Sequence, residues 1–170
     1  YIVFGYDNGC SNNGIPKEST TKSKGSGAVF GENSKTKYFG SDFNLKIIVS
    51  GKTIKILDKD GKEMLSNSNI IKYNDRNSDC PSGGFRDISS NGIYFTIEQQ
   101  NCSGWDFIDE FITFKYSEKD KDIYLYKFEL IYTDRSEPDK DIPVKVYGEN
   151  VFGKINFKDV ALDVLYKYVR

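Results

Sequence analysis

The chain has no histidine. That absence removes Ser–His and Cys–His nucleophile activation, histidine general bases and histidine-ligated zinc together. Methionine and tryptophan occur once each, proline four times and cysteine three times in 170 residues. No Cys-x-x-Cys pair is present, so the cysteines do not form a zinc ligand set. No apolar run approaches the ~18 residues that cross a bilayer as a helix. An excess of one charge is also missing: 24 Lys/Arg stand against 25 Asp/Glu, a net of −1. A strong electrostatic footprint for nucleic acid or an anionic membrane is therefore lacking. The charge is mildly uneven, net +3 over residues 1–65 and −4 over 66–170, which is short of a polybasic arm or an acidic tail.

Aromatic residues are plentiful. Twelve Tyr and twelve Phe lift the aromatic share to 15% although hydrophobic residues reach only 38%. Aromatic and β-branched side chains fit half-buried pleated surfaces, so this balance favours sheets. The length suits one domain over residues 1–170 and needs no metal or dense disulfide network to fold.

Tyr1–Tyr6 reads as a short strand, and residues 7–27, rich in Asn, Ser, Thr, Gly and Lys, as a flexible, linker-like loop. Lys35–Phe39 alternates as a strand with a solvated lysine face. Leu45–Val49 and Thr53–Leu57 flank Ser50-Gly51-Lys52 as a hairpin. Asp58-Lys59-Asp60-Gly61 turns into Glu63–Leu65, and Ile70–Tyr73 reads as a further strand. The Asp58 turn has some features of a calcium loop, but Ile56 and Leu65 offer no side-chain oxygen, and a plain turn accounts for Asp-Gly. Asn91-Gly92 between Phe85–Ser89 and Ile93–Gln99 is the strongest hairpin signal in the chain. Phe107–Tyr116 and Ile123–Tyr132 form the longest hairpin. In the second of these strands the even set, Tyr124, Tyr126, Phe128, Leu130 and Tyr132, is apolar or aromatic and is expected to face the core. Val144–Tyr147 is a short strand. Val160, Val164, Leu165 and Tyr168 recur at helical spacing behind Asn156, predicting a helix over 157–168. The expected fold is mainly β: an antiparallel sheet or sandwich of consecutive hairpins with one C-terminal α-helix.

Cys80 and Cys102 sit in loops that flank the Asn91-Gly92 hairpin in sequence. Antiparallel pairing returns Cys102 to the level of Cys80, so a disulfide between them is expected, with Cys10 left over. The disulfide points to an oxidising compartment. A chain that begins at Tyr1 rather than Met is expected of a precursor that has lost a signal peptide, giving a periplasmic or extracellular protein.

Carboxylates, Tyr, Lys and Arg remain for chemistry. Glu98, Asp106, Asp109 and Glu110 cluster in sequence and would be needed by a carboxylate-based hydrolase. Asp109 and Glu110 are consecutive, so in a strand they point to opposite faces; the simpler reading of the group is solvated polar positions on the outer face of the sheet. Trp105 follows Cys102-Ser103-Gly104 at a loop tip, where it packs over the disulfide, stacks on a sugar of the cell envelope or anchors a partner. In size, expected export and scarcity of motifs, the chain resembles the periplasmic immunity proteins that bacteria pair with secreted antibacterial toxins. The resemblance implies a non-catalytic inhibitor with a protein partner such as a toxin and without a cofactor or metal. Under it, Trp105, Asp106, Arg86 and Asp79 at the disulfide end, and Asp134, Arg135, Glu137 and Asp139 in the charged loop, make the contact.

Intact-mass measurement after alkylation under denaturing, non-reducing conditions is expected to label one thiol. Labelling of three would remove the disulfide.

Overall fold

In residues 34–42, 44–73 and 79–169, which the computed structural model describes, alternation and turn chemistry build nine strands in two antiparallel sheets. The first sheet is a meander of β1 (Lys35–Phe39), β2 (Leu45–Ser50), β3 (Thr53–Leu57) and β4 (Glu63–Asn67). The second, β5 (Gly84–Asn91), β6 (Tyr94–Ser103), β7 (Asp106–Ser117), β8 (Asp122–Asp134) and β9 (Lys145–Gly148), also runs in sequence order. Leu45, Ile47 and Val49 of β2 and Ile54 and Ile56 of β3 alternate inward, as do Phe95 and Ile97 of β6. They meet in one core shared by both sheets, a β-sandwich arrangement.

Phe95 lies at the centre of that core. Its ring is 4.8 Å from Phe39 of the first sheet, 5.0 Å from Phe114 of the neighbouring strand and 6.1 Å from Phe157 near the C-terminus. A backbone bond from Gly40 N–H to the Gly92 carbonyl, 2.8 Å, joins the sheets at the β5–β6 turn. Gly92 has φ +56, which a two-residue hairpin loop requires and glycine adopts freely.

The turns follow their residues. Asp58 Oδ1 accepts from the backbone N–H of Asp60 and Lys62, both at 2.9 Å, so this carboxylate closes its own hairpin. Cys80 and Cys102 form a disulfide with Cα atoms 5.5 Å apart. The register explains it: Gly84 pairs with Gln100, which leaves both cysteines just beyond the last rung. Gly83 bonds back to the Cys80 carbonyl, and a Cβ there would lie 2.8 Å from the Cys80 sulfur. Tyr1–Tyr6, the 7–27 segment and Cys10 lie outside the described residues.

Three expectations are corrected. Ile70–Tyr73 is not a strand, although Ile70 and Ile71 are buried in the core. The even set of β8 faces the core only in its second half. A bulge falls between Thr113 and Phe114, whose partners are Lys127 and Leu125, so Tyr126 is the extra residue. Ile123 and Leu125 therefore point inward before it, and Phe128 and Leu130 after it. Finally, the helix over 157–168 is two short pieces, a 3₁₀ turn at Phe157–Asp159 and α2 (Leu162–Tyr166), preceded by α1 (Glu149–Phe152). Val160 and Ala161 between the two pieces are extended. Buried Asn67 of β4 explains the break. Its amide donates to the carbonyls of Phe157 (2.6 Å) and Val160 (2.8 Å), and Leu162 N–H bonds Asn69 O instead of a helical partner.

Among the described residues, no helix is long and apolar enough to cross a membrane. Because Phe95 joins both sheets and the C-terminal segment, Phe95→Ala is expected to cost about 3–5 kcal/mol in urea unfolding. A loss below about 1 kcal/mol would show that its neighbours collapse into the space.

Candidate functional site

The disulfide end of the second sheet gathers several of the residues that the sequence singles out. Ser103 pairs with Asp106 across the β6–β7 turn, and Asp106 pairs in turn with Asp134 at the end of β8. This register brings the turn holding Trp105 beside the loop that starts at Arg135. The Trp105 side is 71% exposed, yet its backbone is held. Its carbonyl accepts from the Arg135 backbone N–H at 2.9 Å and from Arg135 Nε at 3.1 Å, and the guanidinium also bonds the Gly104 carbonyl. The same guanidinium lies 4.9 Å from the Phe107 ring centre and 5.8 Å from that of Trp105. Trp105 is thus largely exposed on an anchored turn.

Beyond Arg135 the loop is acidic but partly neutralised. Asp134 is capped by the Ser136 hydroxyl at 2.6 Å, which holds its carboxyl below the usual range. Lys140 lies 3.9 Å from Asp134 and 3.8 Å from Glu137. Glu137 and Asp139 are exposed. Asp79 lines a cavity of about 340 Å³ with Cys80, Cys102, Asn101 and Lys72. Arg86 does not join this group. It pairs with Asp109 at 3.1 Å on the outer face of the sheet. Asp109 is three rungs inside the turn, roughly 10 Å along the strand. The structure thus brings Trp105, Asp106, Asp134 and Arg135 together, keeps Glu137 and Asp139 beside them, and separates Arg86.

The expectation that the four neighbouring carboxylates are all solvated on the outer face is corrected by Glu110. It lies on the core face of β7 with its side chain 1% exposed, because strand alternation puts it in phase with Ile108 and Ile112. Tyr166 of α2 donates to both carboxylate oxygens, at 2.8 and 2.9 Å. Gln99 Nε2 donates at 3.2 Å, and Lys72 Nζ lies 3.8 Å away. Lys72 also donates to the Tyr166 hydroxyl at 3.2 Å. Gln99 secures the Lys72 segment by accepting from the Lys72 backbone N–H at 2.9 Å. Desolvation raises the Glu110 carboxyl above its ordinary range against the pull of Lys72, and it lowers Lys72 and raises Tyr166. A second cavity, about 290 Å³, is lined by Glu110, Tyr166, Asn101 and Tyr132. Sequence reasoning missed this cluster, although the inward phase of Ile108 and Ile112 was a signal for it.

Glu98 and Asp106 do not converge. Glu98 pairs with Phe111, five rungs from Asp106, roughly 17 Å along the strands, and the alternation places them on opposite faces. Among the described residues, no group of three or more Cys, Asp or Glu is placed to hold a metal ion. In comparison with known proteins, the chain matches no family model, and no curated protein or solved structure is significantly similar to it.

The raised Glu110 carboxyl sets a sign for pH dependence. The fold favours its neutral form, so its contribution to stability is full below the ordinary carboxyl range and is lost as pH rises through the raised value. Asp87 acts the other way. The Ile88 N–H holds its carboxylate low, so its contribution is present at neutral pH and lost in acid. The expected result is that Glu110→Gln melts increasingly above wild type as pH rises from about 4 to about 8. A difference that stays constant over that range would show that burial does not control the Glu110 proton.

Proposed function

We propose that this domain is an exported, non-catalytic binding protein that engages another protein through its disulfide end, in the manner of an inhibitor or immunity protein facing a bacterial toxin. One observation carries the reading: Trp105 is exposed while its turn is held by Arg135. Tryptophan and arginine are the residue types that dominate interface energies. A pre-anchored turn forfeits little conformational freedom on binding, so more of the contact energy is expressed as affinity. The Trp105–Arg135 pair is the anchor, and Asp106, Glu137 and Asp139 supply an acidic rim that would steer a basic partner towards it. Asp79 and the neighbouring cavity offer a socket for a partner side chain. Arg86 is left out of the contact because it is paired elsewhere.

The disulfide supports an oxidising compartment, the periplasm or the extracellular space on this reading. The non-catalytic part of the proposal draws on two features. Glu98 and Asp106 lie too far apart for a carboxylate pair, and the oxygens of Glu110 are already engaged by Tyr166 and Gln99. Guanidinium stacking against Trp105 also favours an anchor over a sugar platform at this tip.

Calorimetry against the product of the neighbouring gene checks the proposal. Micromolar or tighter binding is expected, and Trp105→Ala is expected to weaken it about thirtyfold, the ~2 kcal/mol typical of an anchor residue. Arg135→Ala should weaken it too while leaving the melting temperature nearly unchanged. Unaltered affinity in both variants would place the contact elsewhere, and a partner that binds no better than millimolar would refute the pairing.

A further inference from the structure

The outer face of the second sheet carries a trough remote in character from the Trp105 end. Its floor follows one rung across four strands: Ser89 pairs with Thr96, Thr96 with Thr113 and Thr113 with Lys127. Three of the four are small hydroxyl residues, and the Thr96 and Thr113 hydroxyls lie 2.9 Å apart. Larger side chains rise on both sides. Tyr94 and Tyr126 form one wall, with ring centres 5.0 Å apart and planes inclined by 57°. Glu98, Phe111 and Glu129 line the other, and the open depression between them has a volume of about 550 Å³. Four strands at the usual spacing make the trough roughly 14 Å long.

A polar outer face is ordinary for an antiparallel sheet. The bulge is not. It turns two consecutive residues of β8, Tyr126 and Lys127, towards the same trough, where regular alternation would send one of them to the core. Tyr126 is held 45% exposed beside Tyr94, at the expense of a regular ladder in the longest hairpin. Bulges re-aim side chains in this way next to binding sites.

We propose that this trough binds a neutral, linear oligosaccharide. The exposed Tyr126 ring, backed by Tyr94, offers an apolar face to the C–H side of a sugar ring, and the Ser89 and Thr96 hydroxyls with the Glu98 carboxylate match its hydroxyl groups as donors and acceptors. The charge of the lining argues against an anionic ligand. Lys127 is engaged by Glu129 at 2.6 Å, and Glu98 adds further negative charge. A peptide strand is disfavoured because the floor is the face of a sheet, where the backbone groups are already spent in the ladder and none is left for strand addition. Small hydroxyl residues along three strands of the floor, with larger side chains on both sides, give the depression the linear form that a chain ligand requires.

The experiment is titration calorimetry with cello-, chito-, xylo- and malto-oligosaccharides, with an oligogalacturonide as the anionic control. At least one neutral oligomer is expected to bind and the anionic one to bind much more weakly. Tyr126→Ala is expected to weaken that binding about tenfold or more, and Thr96→Lys, which fills the floor, to abolish it. Circular dichroism and thermal melts confirm that both variants fold; Tyr126 is exposed enough to be truncated without opening the core. Trp105→Ala should leave saccharide binding unchanged. The proposal is overturned if no neutral oligomer binds at millimolar concentration, if the two trough variants bind as wild type does, or if Trp105→Ala alone removes the binding.

Discussion

Phe95 contacts Phe39, Phe114 and Phe157, and through them the two sheets and the C-terminal segment become one packing unit. Neither sheet buries its apolar face alone. The first is only four short strands, and the second turns a largely polar face, with Tyr94, Tyr126 and Phe111 among its side chains, away from the core. The shared aromatic cluster is where each supplies what the other lacks, and Phe157, whose ring is also 5.1 Å from Phe114, brings the C-terminal turn over it. Asn67 then fixes that turn from the other side by occupying the carbonyls of Phe157 and Val160. The helix α2, which follows that turn, carries Tyr166 to Glu110.

The buried Glu110 cluster shows how a polar group is tolerated in such a core. Its carboxylate has donors from β6 and α2 and a cation from the segment after β4. Each partner comes from a different part of the chain. The arrangement is therefore satisfied only in the native fold, which is the condition under which buried polar networks specify one structure rather than several.

Much of the fold was legible because hairpins are local. Ser50-Gly51-Lys52, Asp58–Gly61 and Asn91-Gly92 announce turns within a few residues, and the consecutive topology of both sheets follows from them. The disulfide was legible for the same reason. What could not be read is non-local. The bulge at Tyr126 exchanges the faces of half a strand, and no residue in Ile123–Tyr132 marks it, since the even positions are apolar throughout. The break at Val160–Ala161 depends on an asparagine far away in the chain. Of the site residues, those joined by a turn, Trp105 and Asp106, fall beside Arg135 and Asp134 as the hairpin order implies. Arg86 was grouped with them by its nearness to Cys80, whereas its partner, Asp109, is chosen by strand register. Glu110 was misread because acidic residues are so often solvated that the phase of its neighbours was outweighed.

The hairpin that unites Cys80 and Cys102 has a consequence for the order of events during synthesis. The two cysteines are separated by 22 residues, and the strands between them meet through a two-residue loop. Loop closure over so short a span carries a small entropic penalty, and it falls further once the ladder forms. Each thiol therefore encounters the other at a far higher effective concentration than it encounters Cys10, many residues upstream. Oxidation is channelled to the Cys80–Cys102 pair by chain geometry, so a cysteine far upstream competes poorly for that bond.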